Sequence, residues 1–438
     1  MLNPIKNILK ASAVLMLAVL LGACAVGPDY RRPSIAVGTN FKETKGWIQA
    51  SPSDTALRAD WWRSYNDPVL NRLMDDLLAA NQNIAQAQAQ YRQAQALVQS
   101  ARAGFFPTLN AGLSTTRSGG SHSNSSLSGS DSSGSTQSSL TGSVSWEPDI
   151  WGKIRRTVES GEAGVEASAA DLAATRLSMQ STLAQSYFQL RALDAEKRLY
   201  DQTLGAYERS LRTTQNRYQA GVAAQADVAA AQTQLENART QALDLNWQRA
   251  QFEHALAVLT GQAPAHFAVA PSQNVGTVPD IPPGLPSQLL ERRPDVAGAE
   301  RRTAQANAQI GVAQAAWFPD LTLSGNAGLT GSQWAAWLSA PMSFWSLGPA
   351  LALTIFDGGA RESKVAQARA TYDAQVAAYR LTVLTALQEV ENYLVQLHVL
   401  GQEQVTQGRA LAAARESLRL TENQYKAGLI DYLSVSQV

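Results

Sequence analysis

Apolar and small residues recur at steps of three and four along most of the chain, and this spacing predicts long helices. The first helix is marked by Asp67 and Pro68, an N-cap followed by proline at the first helical position. Leu70, Leu73 and Leu77 then share one face. The same spacing continues, rich in alanine and glutamine, over 84–101, 153–193, 204–259, 296–316, 362–400 and 411–438. Such lengths exceed those usual in globular proteins and indicate helices that lie against neighbours on both sides.

Four segments of about ten residues interrupt the helical pattern and predict β-strands. They cover 108–117, 138–146, 320–331 and 347–356. In the last segment Leu351, Leu353 and Ile355 alternate with residues of the opposite face. About ten residues is also the length that a tilted strand needs to cross a bilayer. We therefore expect two β-hairpins, at about 108–146 and 320–356.

The sequence contains an internal repeat. Residues 189–221 and 396–428 align without a gap at an offset of about 207 residues, and fourteen of the 33 aligned positions are identical. Because this period is far longer than a solenoid unit, it indicates a duplicated half-molecule. Both copies end in Tyr-x-Ala-Gly, and Gly221 and Gly428 are expected to be structural helix breaks, since glycine tolerates a positive φ.

Aromatic residues precede both predicted hairpins. Phe105 and Phe106 stand before a proline in the first half, and Trp317 and Phe318 stand before a proline in the second. Aromatic girdles mark the interfaces of membrane β-barrels, so these four residues are expected at a membrane interface. The alternative is ordinary core filling, which does not explain their matched positions in the two halves.

The first 66 residues carry a targeting signal and an extended segment. Residues 1–23 combine a basic start with an apolar run too short to span a bilayer, which predicts a signal peptide. The run ends in Leu-Gly-Ala-Cys, which resembles the lipobox of bacterial lipoproteins, so Cys24 is expected to carry lipid and to begin an extended segment, 24–66. Ala25 after the cysteine favours the outer membrane. The alternative is an ordinary signal peptide with an incidental cysteine.

Composition argues against several other functions. The formal net charge is +0 and charged residues make up 16% of the chain, so no nucleic-acid partner is expected. Cys24 is the single cysteine, which excludes a disulfide within the chain and a metal–thiolate cluster. The 4 histidines are isolated, and neither a phosphate-binding loop nor a nucleophile elbow is present. We expect no enzymatic activity, no cofactor and no metal site.

Four strands cannot span a membrane by themselves. Backbone polar groups that face lipid must be paired, so only helices and closed barrels cross a bilayer. Small outer-membrane barrels need at least eight strands. If both hairpins cross the membrane, two protomers would share eight strands or three protomers would share twelve. The strand pattern does not choose between these.

Several motifs resemble the outer-membrane factor (TolC-like) family of tripartite efflux systems, especially its lipoprotein branch (NodT/OprM-like). They are the segment after Cys24, Trp-Trp-Arg within 61–70, Leu-Glu-Arg-Arg-Pro-Asp within 285–296, Phe-Pro at 318–319, Phe-Asp-Gly-Gly at 356–359 and the paired Tyr-x-Ala-Gly segments. The resemblance covers nearly the whole chain. It implies a mainly α fold with a small β part: a homotrimer whose shared 12-stranded outer-membrane β-barrel is continued by a long periplasmic α-helical barrel.

The resemblance implies a passive exit duct for small toxic compounds. A periplasmic adaptor (membrane fusion) protein would connect it to an inner-membrane efflux transporter, which supplies the energy. The alternatives are a duct for type I protein secretion and a structural periplasmic lipoprotein without a pore. The lipobox and the Leu-Glu-Arg-Arg-Pro-Asp motif favour the efflux branch of the family. The predicted strand pairs argue against a structural lipoprotein without a pore.

The resemblance also implies a periplasmic gate at the tips of the helix pairs, where the adaptor would bind. We expect the helix pairs to turn at 193–196 and at 400–403. The expected gate residues and adaptor contacts are Leu193, Asp194, Glu196, Leu400, Gly401, Gln402 and Glu403. Glu196 and Glu403 are equivalent in the repeat, so a trimer would present six carboxylates that favour cations. The alternative is that both are solvated surface glutamates.

The patterns divide the rest of the chain into two repeats and a linker. The first repeat covers 67–261 and contains helices, a hairpin and a helix pair at about 153–260. The linker and equatorial segment, 262–293, is rich in proline. The second repeat covers 294–438, with its helix pair at 360–438. Because the second pair is shorter, we expect a C-terminally truncated copy, whose trimer would have a gap in the helical wall or fail to assemble.

Overall fold

The computed structural model describes residues 25–36, 41–42, 60–119, 135–272, 276, 278–279, 292–331, 343–431, 434–435 and 438. The expected signal peptide and Cys24 lie outside the described residues, as do parts of the segment 24–66 and of the linker 262–293. Long helices and one small antiparallel sheet make up the described part, so the chain is mainly α with a small β part.

The first repeat begins with helices, continues with a hairpin and ends with two long helices. In chain order its elements are a 3₁₀ turn (Trp61–Tyr65), α1 (Pro68–Ala80), α2 (Gln82–Ala103), β1 (Thr108–Ser118), β2 (Ser135–Trp146), α3 (Lys153–Gln219) and α4 (Gln225–Leu259). A further 3₁₀ turn, Pro264–His266, comes after α4.

The described part of the second repeat has fewer elements, and they follow the same order of helix, hairpin and long helix. It consists of α5 (Pro294–Ala315), β3 (Asp320–Gly331), β4 (Ser343–Ala352) and α6 (Ala360–Lys426). Both α3 and α6 are 67 residues long. The repeated order of helix, hairpin and long helix is the order that the sequence repeat predicted.

The start of α1 is explained by its N-cap. The Asp67 carboxylate accepts hydrogen bonds from the backbone N–H groups of Val69 at 2.8 Å and Leu70 at 3.1 Å, and Pro68 stands at the first helical position. These bonds satisfy donors that lack a partner inside the helix. The helix therefore begins where the sequence predicts.

The expected helix turns at 193–196 and 400–403 are wrong. α3 runs without a break through Leu193 and Glu196, and α6 runs through Leu400 and Glu403. Leu193, Ala195 and Glu196 are good helix formers. A single weak helix former, Asp194 in α3 or Gly401 in α6, lowers helix stability by about 1 kcal/mol or less, which is too little to end a long packed helix. The turns were expected from the family resemblance alone, and neither segment contains a residue that ends the helix.

The fourth strand lies four residues earlier than predicted, at Ser343–Ala352 instead of 347–356. The alternation that predicted it continues to Ile355, but the ladder stops because Ala352 pairs with Asp320, the first residue of β3. A strand ends where its partner ends, and the alternation of side chains does not contain that information.

The sheet joins the two repeats. Its strand order is β1-β2-β3-β4, and each neighbouring pair is antiparallel. The central pair, β2 with β3, connects the first hairpin to the second, with Gly142 opposite Ala327. One continuous sheet therefore contains a hairpin from each repeat.

The chain divides into two compact units. Among the described residues, one unit contains 25–35, 90–119, 135–169, 298–331 and 343–381, and the sheet belongs to it. The other contains the described residues of 36–89, 170–297 and 382–438. Each unit therefore combines residues from both repeats.

The second of these units contains an apolar core around Leu183 and Leu190 of α3, which are fully buried together with Leu73 of α1. Tyr187 lies on the same face of α3, and its hydroxyl donates a hydrogen bond to Asp67 Oδ2 at 2.6 Å. Burial, with the hydrogen bond to Asp67, raises the pKa of Tyr187 to about 12. The N-cap of α1 is thereby connected to the core.

None of the helices in the described ranges is both long enough and apolar enough to cross a membrane.

Candidate functional site

The long helices end at two glycine turns that occupy equivalent positions in the repeat. α3 ends at Gln219 and Gly221 comes soon after it with φ 79°, whereas α6 ends at Lys426 and Gly428 comes soon after it with φ 73°. In the described part of the chain, a Cβ at either glycine would meet no atom within 4 Å. Glycine is therefore favoured at both positions by the left-handed backbone conformation, since neither position is crowded. Both helices end where the repeat predicted a break.

Backbone hydrogen bonds close the two turns in the same way. The Gly221 N–H donates to the Tyr218 carbonyl at 2.9 Å, and the Val222 N–H donates to the Arg217 carbonyl at 2.9 Å. The equivalent groups of the second turn make the same two bonds at 3.0 Å. This pattern satisfies carbonyl groups at the end of a helix. The two turns, named here the glycine turns (220–224 and 427–431), are therefore closed by equivalent bonds.

A contact between the glycine turns is not symmetric. The Arg217 guanidinium carbon lies 4.5 Å from the centroid of the Tyr425 ring, and Nη1 donates to the Tyr425 carbonyl at 3.3 Å. The repeat equivalent of Tyr425 is Tyr218, but the equivalent of Arg217 is Gln424, which has no charge to place over a ring. The two turns therefore have the same backbone hydrogen bonds but differ in their side-chain contacts.

Asp194, an expected gate residue, lies at the centre of a buried ion network. Its side chain is 3% exposed. Oδ1 accepts a hydrogen bond from Arg249 Nε at 2.7 Å, and Oδ2 accepts one from Arg191 Nη1 at 3.1 Å. Oδ2 also accepts a bond from the backbone N–H of Ser272 at 3.2 Å. Because two arginines enclose this carboxylate, it does not face an aqueous channel in this chain.

The same network holds part of the linker against α3 and α4. Arg249 Nη2 donates to the Val269 carbonyl, and Glu253 Oε1 accepts from the Val269 N–H at 2.6 Å. Arg191 Nη1 donates to the Ala270 carbonyl at 2.8 Å. The sequence did not lead us to predict this network, although the pairing of Arg191 with Asp194 at a three-residue step is a signal that a search for helical ion pairs finds.

The other expected gate residues lie in different environments. Leu193 is buried, whereas Glu196 is exposed. The remaining four, Leu400, Gly401, Gln402 and Glu403, are exposed. Gln402 Nε2 lies 3.1 Å from His398 Nε2 on the preceding turn. These residues lie within continuous helices and do not form a tip, so their part in a gate remains a prediction.

Two of the expected interface aromatics are largely exposed. Phe106 is 70% exposed and Trp317 is 49% exposed. The Arg361 guanidinium carbon lies 4.8 Å from the centroid of the Trp317 ring. Exposed aromatic rings beside a sheet are suited to an interface between water and lipid, which stays a prediction for these residues.

The other two expected aromatics each contact a tryptophan of the first repeat, one through its ring and one through its backbone. Phe318 stacks on Trp151, with ring centroids 4.8 Å apart. The Phe105 carbonyl accepts a hydrogen bond from Trp146 Nε1 at 3.0 Å. The Phe318 ring therefore helps to pack the end of the second hairpin, whereas the Phe105 contact depends on its backbone carbonyl.

The sheet presents large apolar side chains on its surface. β1 is exposed along its whole length. Leu109 in β1 and Trp345 and Leu347 in β4 are exposed by 81%, 80% and 76%. An apolar surface of this kind is expected only where lipid or another chain covers it.

In the part of the chain that the structure describes, there is no candidate metal site built from three or more histidine, cysteine, aspartate or glutamate side chains.

These features define a class of protein: two helical repeats share one sheet, and large apolar side chains are exposed on the surface of that sheet. Residues 73–262 and 285–438 match the model of the outer membrane efflux protein family, and the chain belongs to that family. The predicted resemblance is thereby confirmed.

Similarity to outer membrane proteins of other bacteria covers nearly the whole chain. The probable efflux pump outer membrane protein TtgC of Pseudomonas putida is 30% identical over 414 residues, which are 94% of this chain and 85% of TtgC. Outer membrane protein OprJ of Pseudomonas aeruginosa is 32% identical over 424 residues, which are 96% of this chain and 88% of OprJ. The structure of the outer-membrane channel OprN matches with a TM-score of 0.85 and 31% identity, and the match covers 94% of this chain and 92% of OprN.

Proposed function

We propose that the chain is one protomer of a passive exit duct in the outer membrane, through which small toxic compounds leave the cell. The observation that carries this proposal is the exposed apolar surface of the sheet, in a chain that belongs to the outer membrane efflux protein family. The four strands are 10 to 12 residues long, which is the length that a tilted strand needs to cross a bilayer. Lipid would cover the apolar side chains that the fold leaves exposed.

The edges of the sheet support a homotrimer with a shared barrel. In the described chain, the outer edges of β1 and β4 pair with no strand. Because neighbouring strands alternate in direction, β4 of one copy lies antiparallel to β1 of the next copy when all copies insert the same way. A repeated head-to-tail contact of this kind closes a ring when the rotation from each copy to the next adds up to one full turn. Three copies would supply twelve strands, the number that the family resemblance implies.

The surface of α6 supports a helical barrel built from several copies. All side chains from 395 to 420 are exposed. They include apolar residues exposed by about half, such as Leu397, Leu400, Val405 and Leu411. A long helix is stabilised mainly by packing, so helices of another copy would cover this surface. The α-helical barrel would extend into the periplasm.

The glycine turns are the proposed tips of the duct. The resemblance assigns the gate and the adaptor contacts to helix tips, and the long helices end at Gly221 and Gly428. We therefore assign adaptor contact to the glycine turns. The exposed Glu196 and Glu403 remain candidates for a ring of carboxylates along the duct, and the enclosed Asp194 does not.

The proposal includes an anchor and two partners. Cys24 carries lipid that holds the protein in the outer membrane, with the body of the chain in the periplasm. A periplasmic adaptor protein binds the tips and connects them to an inner-membrane efflux transporter. The duct has no catalytic activity of its own, and the energy for export comes from the transporter.

Ion conductance tests the proposal directly. The purified full-length protein is reconstituted in planar lipid bilayers, and discrete conductance steps are expected. Heat-denatured protein in the same detergent serves as the control. If the folded protein gives no conductance under any voltage, the chain is not a duct.

Drug susceptibility tests the direction of transport. Deletion of the gene in the bacterium that carries it is expected to increase sensitivity to at least some toxic compounds, and the wild-type gene is expected to restore resistance. Unchanged susceptibility across a broad panel would rule out the efflux function but not a pore.

A further inference from the structure

The two faces of the sheet differ in chemistry. Successive side chains of a strand point to opposite faces, and residues that pair across strands share a face. A Cβ on Gly325 would lie 2.9 Å from Val144 Cγ1 and 3.2 Å from Leu347 Cδ1, so these side chains share one face, named here the apolar face. The register places further large apolar residues on it: Leu109, Leu113, Leu140, Leu329 and Trp345.

The opposite face, named here the polar face, carries hydroxyl and amide groups. Ser114 Oγ lies 2.8 Å from Ser139 Oγ. Asn326 lies opposite Ser143 in β2 and opposite Ser346 in β4. These residues alternate along each strand with those of the apolar face. The two faces therefore suit two different media, one apolar and one aqueous.

The polar face carries almost no charge. Among the described residues of the four strands, Asp320 is the single charged side chain on this face. It is the first residue of β3, and Lys153 Nζ lies 3.7 Å from its Oδ1. From Thr322 to Thr330 the same strand presents hydroxyl groups, one amide and one glycine to this face. A cation on the polar face would therefore meet no carboxylate of the described strands away from this end of the sheet.

Phe344 is the exception on the polar face. It pairs with Gly328, and a Cβ on Gly328 would lie 2.8 Å from Phe344 Cε1, so the ring lies over this glycine. Trp345, the next residue, lies on the apolar face because it pairs with Ala327. The other described strand residues of the polar face are polar, glycine or alanine. Phe344 is therefore the one large apolar side chain on this face in the described strands.

Packing on Gly328 accounts for only part of this arrangement. An aromatic ring beside a strand glycine shields backbone that the glycine leaves uncovered, which is a purely structural part for Phe344. However, Phe344 remains 39% exposed, so part of its surface is open on the polar face. A ring in this position can contact a solute that passes along the face as well as the strand beneath it.

We infer that Phe344 is a contact site for aromatic and cationic cargo inside the β part of the duct. The inference rests on the proposed function, in which lipid covers the apolar face and the polar face lines the water-filled passage. Each copy contributes one ring, so a trimer places three rings on a wall of hydroxyl and amide groups. The face of an aromatic ring attracts cations and other aromatic rings, whereas a wall of hydroxyl groups offers them little more than water does.

Block of the conducting protein by an aromatic cation tests the contact. The purified full-length protein is reconstituted in planar lipid bilayers, and the current is measured at increasing concentrations of crystal violet, a cation with three aromatic rings. Phe344→Ser is expected to raise the half-blocking concentration about fivefold, which corresponds to about 1 kcal/mol of lost contact. Trp345→Ser is the matched control, because it removes a neighbouring ring on the apolar face, and its half-blocking concentration should equal that of the wild type.

A second variant separates the contact with cargo from the packing on Gly328. Phe344→Leu keeps an apolar side chain over the glycine and removes only the aromatic ring. It is expected to assemble like the wild type and to raise the half-blocking concentration roughly threefold. This variant decides if Phe344→Ser fails to fold.

Cysteine labelling checks the assignment of the two faces. Ser346 lies on the polar face, and Leu347, the next residue, lies on the apolar face. A charged, water-soluble methanethiosulfonate reagent should reduce the conductance of Ser346→Cys and leave that of Leu347→Cys unchanged. The wild type, whose single cysteine is Cys24, gives the background reaction.

The outcomes separate the contact at Phe344 from the duct itself. A conducting wild type that crystal violet does not block, or blocks equally in Phe344→Leu, would overturn the contact while the duct stands. Modification of Leu347→Cys in place of Ser346→Cys would show that the faces are reversed, which also overturns the contact. A wild type without conductance would overturn the proposed duct, and this inference with it.

Discussion

Asp194 Oδ1 lies 2.7 Å from Arg249 Nε on a different helix, and the two side chains are 3% and 19% exposed. Asp194→Ala would leave Arg191 and Arg249 without their shared carboxylate in a buried site. We expect the free energy of unfolding to fall by about 3–5 kcal/mol, measured by chemical denaturation in detergent. Glu196→Gln, an exposed neighbour on the same helix, should change it by less than about 0.5 kcal/mol. Equal effects of the two substitutions would contradict the buried network.

The pH dependence of the free energy of unfolding should show the raised pKa of Tyr187. Its pKa is raised to about 12 in the folded state, compared with about 10 in an unfolded chain. Protonated Tyr187 therefore contributes its full share to the free energy of unfolding below pH 10. This contribution is lost as the pH rises from 10 to 12, because Tyr187 ionises first in the unfolded state. We expect roughly 2 kcal/mol less stability at pH 12 from this group. Denaturation across this range should show a smaller loss in Tyr187→Phe than in the wild type, and parallel curves would exclude the effect.

The glycine turns should tolerate asparagine better than alanine. Because Gly221 has φ 79° and open space around it, Gly221→Ala meets a conformational penalty of about 1–2 kcal/mol without any clash. Asparagine adopts positive φ more readily, so Gly221→Asn should be milder. Hydrogen exchange of the amides at 216–222 measures the local opening. Gly428, with φ 73°, should give the same order of effects, and a reversed order at either turn would contradict the assignment.

Arg217→Ala should loosen the end of α6 more than the equivalent change in the second repeat. It removes the guanidinium over the Tyr425 ring, a contact worth about 0.5–1 kcal/mol at an exposed site. We expect hydrogen exchange at 421–429 to accelerate by roughly threefold to fivefold. Gln424→Ala is the matched control because Gln424 occupies the equivalent position in the repeat. Similar acceleration in both variants would show that the contact has no specific part.

The junction between the hairpins should be sensitive to a methyl group. A Cβ on Gly328 in β3 would lie 2.4 Å from the Leu140 carbonyl oxygen, whereas a Cβ on Gly348 in β4 would meet no atom of the described chain within 4 Å. Gly328→Ala is therefore expected to separate β2 from β3 and to reduce the yield of assembled protein several-fold. Gly348→Ala should assemble normally. Size-exclusion chromatography of the two variants checks this, and equal yields would contradict the β2–β3 register.

Local patterns in the sequence predicted most of the elements. The β3 strand, 320–331, has the predicted bounds, and the glycines of the repeat mark the ends of α3 and α6. These features depend on neighbours a few residues apart, such as the alternation in a strand or the glycine after a helix. The sequence carries such relationships directly.

Contacts between distant residues could not be predicted in this way. Asp194 was expected at the gate, and its buried pairing was missed because its partner Arg249 is 55 residues away. Arg156 is likewise 130 residues from the Val26 carbonyl that it binds. The helix pattern shows which face is apolar but not which segment covers it. The wrong turn at 193–196 has a different origin, since no residue there stops a helix, whereas Gly221 does.

The two glycine turns have a consequence for stoichiometry. Three copies would present six turns with the same backbone bonds, while the Arg217 side chain occurs in only three of them. A partner that recognises the shared turn alone would therefore bind with a ratio of two per chain. A partner that distinguishes Arg217 from Gln424 would bind with a ratio of one per chain. The valency of the assembly thus depends on a side-chain difference between two otherwise equivalent ends.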